Sequence, residues 1–146
     1  NLMLEMVLEG IFRGVGMDRT LLALLTPDRR ALRVKFVLGD DRESVQRHFQ
    51  FALDEPPSTP IAWVLAQTQA VWFGRPGVAL PVPLDAGLGS LCEGRCFVMP
   101  LAVGGKPIGC LYADRHASGR PLDEEVFGQF KLFGQQARLG LSYLKS

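Results

Sequence analysis

The sequence is poor in the residues that catalysis, metal binding or a charged partner would draw on. It holds three cysteines and two histidines, and its formal net charge is +1. Sixteen Lys and Arg against 15 Asp and Glu leave no basic field for nucleic acid, and no long like-charge run is present. No apolar run reaches the roughly 18 residues of a membrane span, and no signal peptide is evident. An odd cysteine count in a chain too large to need disulfides points to a reducing, cytoplasmic setting. The 146 residues suit one domain, 1–146, and a first residue that is Asn marks it as a segment of a longer protein.

The most informative stretch runs from Cys96 to Arg115, CFVMPLAVGGKPIGCLYADR. It reads as a hairpin turning at Gly104-Gly105, because Gly-Gly supplies the positive φ angles of a two-residue turn. That turn predicts the pairs Val103 with Lys106, Leu101 with Ile108, Met99 with Cys110 and Phe97 with Tyr112. Alternation then puts Phe97, Met99, Leu101, Ile108, Cys110 and Tyr112 on one bulky face. Val98, Pro100, Ala102, Gly109, Leu111 and Ala113 form the other face, which is mostly small.

Around it, residues 2–13 predict a helix ending at Gly14 or Gly16, with Leu4, Val7, Leu8 and Ile11 as its apolar stripe. Leu2, Met3, Met6 and Phe12 lie away from that stripe and form a surplus apolar surface. Residues 18–26 read as a strand buried on both sides and 31–38 as an edge strand, with Leu32, Val34, Phe36 and Leu38 inward. His48 to Leu53 alternates again. Thr59-Pro60 starts a helix as N-cap and first helical residue, and Ala70 to Phe73 is a short strand. Residues 74–95 hold five glycines and three prolines and read as one long loop. Residues 122–145 predict a final helix capped by Asp123. Val126, Phe130, Phe133, Ala137, Leu141 and Leu144 line its buried side, and Gly128, Gly134 and Gly140 allow close packing.

The chemistry-bearing residues do not converge in this reading. Cys92, Cys96, Cys110 and His116 have the composition of a zinc set. The predicted register places Cys96 and Cys110 on opposite faces, so structural cysteine is preferred, with Cys92 exposed in the loop. A nucleophile would need a neighbouring base, and both His48 and His116 read as surface residues. No catalytic residue and no metal site is therefore assigned. Asp114 is expected to pair locally with Arg95, its opposite number in that register.

The element order, with Pro100-Leu101, the glycine turn and Ile108-Gly109-Cys110-Leu111, resembles the GAF domain family. Thr59-Pro60-Ile61-Ala62 through Ala70-Val71-Trp72 is similar to that family's helix and following strand. Gly14 to Arg19, Leu111 to Arg115 and Ser118 to Leu122 resemble the GAF-like region that follows an HDOD domain in bacterial signalling proteins. The resemblance implies an α+β fold: a central antiparallel sheet, terminal helices on one face, and a helix and long loop over the other. It implies a sensory or regulatory domain controlling an attached output domain such as HDOD. The cysteine motifs of methionine-sulfoxide-reducing relatives find no match. The Asn-Lys-Phe-Asp-Glu set of cyclic-nucleotide binders is absent too, and neither bilin attachment nor haem ligation is evident, so no cofactor is named. A small-molecule site, weighed against ordinary core, is expected at Trp63, Trp72, Phe97, Met99 and Tyr112, with an apolar ligand. The expected partners are a second copy, joined through the terminal helices, and the attached domain. A ligand-free interaction module and a thiol enzyme are the alternatives.

Overall fold

Two antiparallel hairpins form the middle of the structure. The computed structural model describes residues 2–53, 59–82, 84 and 86–145, apart from the side chains of 86, 144 and 145. The first hairpin joins β1 (Arg19–Leu25) to β2 (Ala31–Gly39), and the second joins β5 (Cys96–Val103) to β6 (Lys106–Asp114). Two three-residue strands complete the sheet, β3 (Gln50–Ala52) and β4 (Val71–Phe73), in the order β3-β2-β1-β6-β5-β4. Every pairing is antiparallel. The architecture is α+β, with helices on both faces of the sheet.

One face carries the terminal helices. α1 (Leu2–Glu9) runs into a π-helical segment, Gly10–Gly16, that stops where Gly16 takes φ +82°. Its stripe of Leu4, Val7, Leu8 and Ile11 is buried. α5 (Glu124–Lys145) starts where Asp123 Oδ1 accepts the Val126 amide at 2.8 Å. Gly134 and Gly140 let it approach closely: a Cβ there would stand 2.4 Å from Met99 and 2.5 Å from Met3. Gly128 has open space beside it and serves no such contact. Leu144's predicted place in the buried row lies outside the described side chains.

Three short helices cover the other face. α2 (Arg42–His48) was not predicted, since its seven residues bury only Val45 and carry no apolar period. α3 (Pro60–Leu65) is capped as expected, with Thr59 Oγ1 accepting the Ala62 amide at 3.2 Å. α4 (Ala86–Cys92) lies inside the stretch predicted as loop. Its two glycines disfavour an isolated helix, and burial of Leu88 and Cys92 against the sheet holds it instead.

The hairpin register differs from the expectation by one residue. Val103 pairs with Lys106 and Ala102 with Pro107, but Leu101 then pairs with Gly109. Ile108 is an extra residue on β6, a bulge beside a proline that has no N–H to donate. Beyond it Phe97 faces Ala113, Val98 faces Tyr112 and Pro100 faces Cys110. The faces therefore exchange members. Phe97, Met99 and Leu101 lie with Leu111 and Ala113 beneath the terminal helices, while Cys96, Val98, Cys110 and Tyr112 lie beneath the short ones. The small side of the hairpin is not the helix side, contrary to expectation. A second bulge at Lys35 splits β2 likewise: Leu32 and Val34 pack on the short-helix side, Phe36 and Leu38 on the other.

Candidate functional site

The five residues expected to line one pocket sit on two faces of the sheet. Trp72, Phe97 and Met99 are core under α5: Trp72 meets Phe97 edge-on at 5.5 Å, and Phe97 lies 5.3 Å from Phe130. Tyr112 is buried on the opposite face, 5.4 Å from Phe49, and Trp63 is half-buried on the same side. The bulge at Ile108 causes the separation. On the short-helix face the space behind the hairpin is filled by Leu21, Ile61, Val64, Leu88, Val98 and Cys110, with Tyr112 among them.

A polar network crosses this face at its edge. Arg19 and Asp114 are direct partners across β1 and β6, and both are buried. Arg19 Nη2 donates to Asp114 Oδ2 at 2.6 Å, and Nε donates to both carboxylate oxygens at 3.1 Å. The Tyr112 hydroxyl and the His116 amide also donate to Asp114. Burial works against the Arg19 charge, but the hydrogen bonds and charge of Asp114 outweigh it and hold its pKa above the ordinary value. Burial also pushes the Tyr112 phenol well up. Asp114 therefore pairs with Arg19, not Arg95. The signal was in the sequence: each is a charged residue at the end of an almost wholly apolar strand. Arg19 Nη2 reaches on to the Leu91 carbonyl at 2.5 Å, tying the network to α4.

Between α2 and α4 lies a half-open cleft of about 450 Å³, with Arg19 beside it. Asp41, Ser44 and His48 form one wall, Ser90 and Leu91 the other, and His116 closes one end. His48 Nδ1 lies 2.8 Å from the Ser44 carbonyl, which only accepts, so Nδ1 carries the proton. It is thus no base for the Ser44 hydroxyl 3.2 Å away. His116 Nδ1 is buried without a hydrogen-bond partner among the described residues, and Glu93 Oε1 is 3.8 Å off. His48 is exposed, as the sequence predicts, whereas His116 is half-buried; the cleft itself is not legible in the sequence, because neither α2 nor α4 is.

All three cysteines are free, buried and on the short-helix face. The expected separation of Cys96 from Cys110 fails with the register, and Cys92 is not exposed. Among the described residues, no group of three or more His, Cys, Asp or Glu is placed to hold a metal. No described helix is long and apolar enough to cross a membrane.

Fold and packing define the class: an α+β domain whose single antiparallel sheet carries long terminal helices on one face and short helices around a polar cleft on the other. The chain belongs to the GAF domain family, which matches it over residues 2–141. No curated protein matches it. Among solved structures it is similar to residues 122 to 287 of a methyl-accepting chemotaxis protein, at 20% identity and a TM-score of 0.72, covering 98% of this chain and 90% of that one. It is similar to a GAF domain/HD domain protein from Geobacter sulfurreducens (17%, TM-score 0.73, 99% and 92% covered). The second GAF domain of DevS from Mycobacterium smegmatis has the same fold (18%, TM-score 0.71, 99% and 94% covered).

Proposed function

We propose that this chain is a non-enzymatic sensory or regulatory domain of a bacterial signal-transduction protein, working in the cytoplasm. It self-associates through its terminal helices and controls an attached output domain. The observation that carries this reading is the outer surface of α1 and α5. Leu2 (73% exposed), Met6 (65%), Leu132 (61%) and Leu139 (59%) stand in solvent there, on the helices whose inner sides hold the core. Met6 and Leu139 border one shallow apolar groove of about 520 Å³. Patches of this kind mark interfaces, and a surface formed by two parallel ridges of one chain suits an isologous pair. The likeness to a GAF domain/HD domain protein supports an attached domain, for which an HDOD domain is the proposal.

Light scattering behind a sizing column tests the assembly. The wild type is expected to elute as a dimer at micromolar concentration, and Met6→Glu with Leu139→Glu as a folded monomer. A wild-type monomer at high micromolar concentration would remove this part of the proposal.

A ligand reading is favoured by one further observation: His116, which lines the α2–α4 cleft, has a buried Nδ1 with no hydrogen-bond partner among the described residues. A buried polar atom left unpaired costs roughly 1–3 kcal/mol, which a bound donor or acceptor would recover. The cleft lies in the size range of small-molecule sites, and six of its eight lining residues, Arg19, Asp41, Ser44, His48, Ser90 and His116, carry polar side chains. The ligand proposed is therefore small and polar, not the apolar one expected from the hairpin aromatics.

A further inference from the structure

Resting on the reading of the α2–α4 cleft as a small-molecule site, we propose that its ligand is a zwitterion of the free amino acid class, with an ammonium group and a carboxylate close by. The cleft has two unlike walls, and the α2 wall is made of acceptors. Asp41, Ser44 and His48 are spaced so that one face of α2 turns all three towards the cleft. Asp41 stands at the N-cap with φ +56° and gives the helix no side-chain bond. Among the described residues its carboxylate has neither a hydrogen bond nor a salt bridge. His48 carries its proton on Nδ1, which leaves the Nε2 lone pair free, and Ser44 adds a hydroxyl oxygen. An ammonium group has three donors and no acceptor. Three acceptors on one face, one of them charged, are the set that suits it.

The opposite side is made of donors. Arg19 is buried, and its Nε and Nη2 are taken up by Asp114 and the Leu91 carbonyl. Nη1 makes no hydrogen bond among the described residues. It is not sealed away either, since His116 Nδ1 is the one buried, unpaired side-chain nitrogen or oxygen among them. Arg19 lines the cleft, so Nη1 is the edge of the guanidinium left to face it, with two N–H groups to give. Ser90, on α4, adds a hydroxyl donor. A carboxylate can accept from both residues. Because Asp114 and Leu91 already fix the guanidinium, binding has little side-chain freedom to remove from it.

Charge balance selects a ligand with both groups. The charge of Arg19 is matched by Asp114, whereas that of Asp41, which is felt at Arg19, has no such partner. A simple anion would bring a second negative charge to Asp41. A simple amine would satisfy Asp41 and leave Nη1 unmet. A zwitterion meets both ends and adds no net charge. Arg115 and Arg120 stand on the far side of His116 and do not line the cleft. Their guanidinium groups are engaged with the carbonyls of Val15 and Gly16 and with Asp18.

The test titrates the folded protein, followed by two-dimensional amide NMR, with free L-amino acids, their N-acetyl forms and the corresponding amines that lack the carboxylate. Inorganic phosphate and neutral sugars complete the panel. At least one free amino acid is expected to shift the amides of Ser44, His48, Ser90 and Leu91. Its N-acetyl form and its amine should each bind at least about tenfold more weakly. Asp41→Asn keeps a residue that tolerates the left-handed backbone. It should weaken the free amino acid about tenfold and leave the N-acetyl form unchanged, so that the preference collapses; a purely structural role would weaken both alike. If that variant does not fold, the wild-type comparison of the three forms decides. N-acetyl forms binding as tightly as free amino acids would overturn the proposal. Cleft shifts with phosphate or a sugar and with no amino acid would overturn it too, while leaving the cleft a ligand site. If no probe moves these amides, the proposal and the ligand reading fall together.

Discussion

Asp114→Ala is expected to lower stability by about 3–5 kcal/mol, the cost of leaving a buried charge without its partner. The Arg19 side chain is 5% exposed and the Asp114 side chain 0%. Removing the carboxylate strands the guanidinium and also takes the acceptor from the Tyr112 hydroxyl and the His116 amide. Tyr112→Phe removes one donor and should cost only about 1 kcal/mol. Replacing both charges, Asp114→Ala with Arg19→Met, should cost less than the single change plus Arg19→Met, because no lone charge remains buried. Urea unfolding measures all four. A loss below about 1 kcal/mol for Asp114→Ala would place the pair in the weak class of exposed ion pairs.

The second large effect is alkaline. Burial raises the Cys110 thiol from its ordinary 9.0 to about 12. Between those values the folded chain keeps a proton that the unfolded chain has released, so stability falls as pH rises. The contribution is fully present below about pH 9 and is lost by about pH 12; three pH units at about 1.4 kcal/mol each amount to about 4 kcal/mol. Burial raises Cys96 and Tyr112 as well, adding in the same direction. Cys92, drawn down by Cys96, works the other way. Cys110→Ala isolates one share: under reducing conditions its loss of stability between about pH 9 and 12 should be shallower than the wild type's by about that amount. Parallel curves for the two proteins would contradict the burial argument.

The elements that the sequence revealed are those whose signal is local. The Thr59-Pro60 start, the Asp123 cap, the Gly104-Gly105 turn and the stripe of α1 depend on a few adjacent residues, and each lies where it was read. The bulges at Ile108 and Lys35 depend on what the neighbouring strand presents, and alternation has no term for an inserted residue. One slip moved Phe97 and Met99 away from Tyr112 and dispersed the expected pocket. It also gathered the cysteines that had been set apart. α2 and α4 are held by the sheet they cover rather than by their own propensity, and they carry the cleft with them.

Mapping small-molecule binding by two-dimensional amide NMR is the most direct measurement. In a screen of small polar metabolites, binders are expected to shift the amides of Ser44, His48, Ser90, Leu91 and His116 and to leave Phe97 and Met99 unmoved. Ser90→Trp, which fills the cleft from α4, should abolish those shifts while the dimer persists. Shifts centred on Phe97, Met99 and Trp72, or binding that survives Ser90→Trp unchanged, would contradict a sensory domain whose effector enters between α2 and α4.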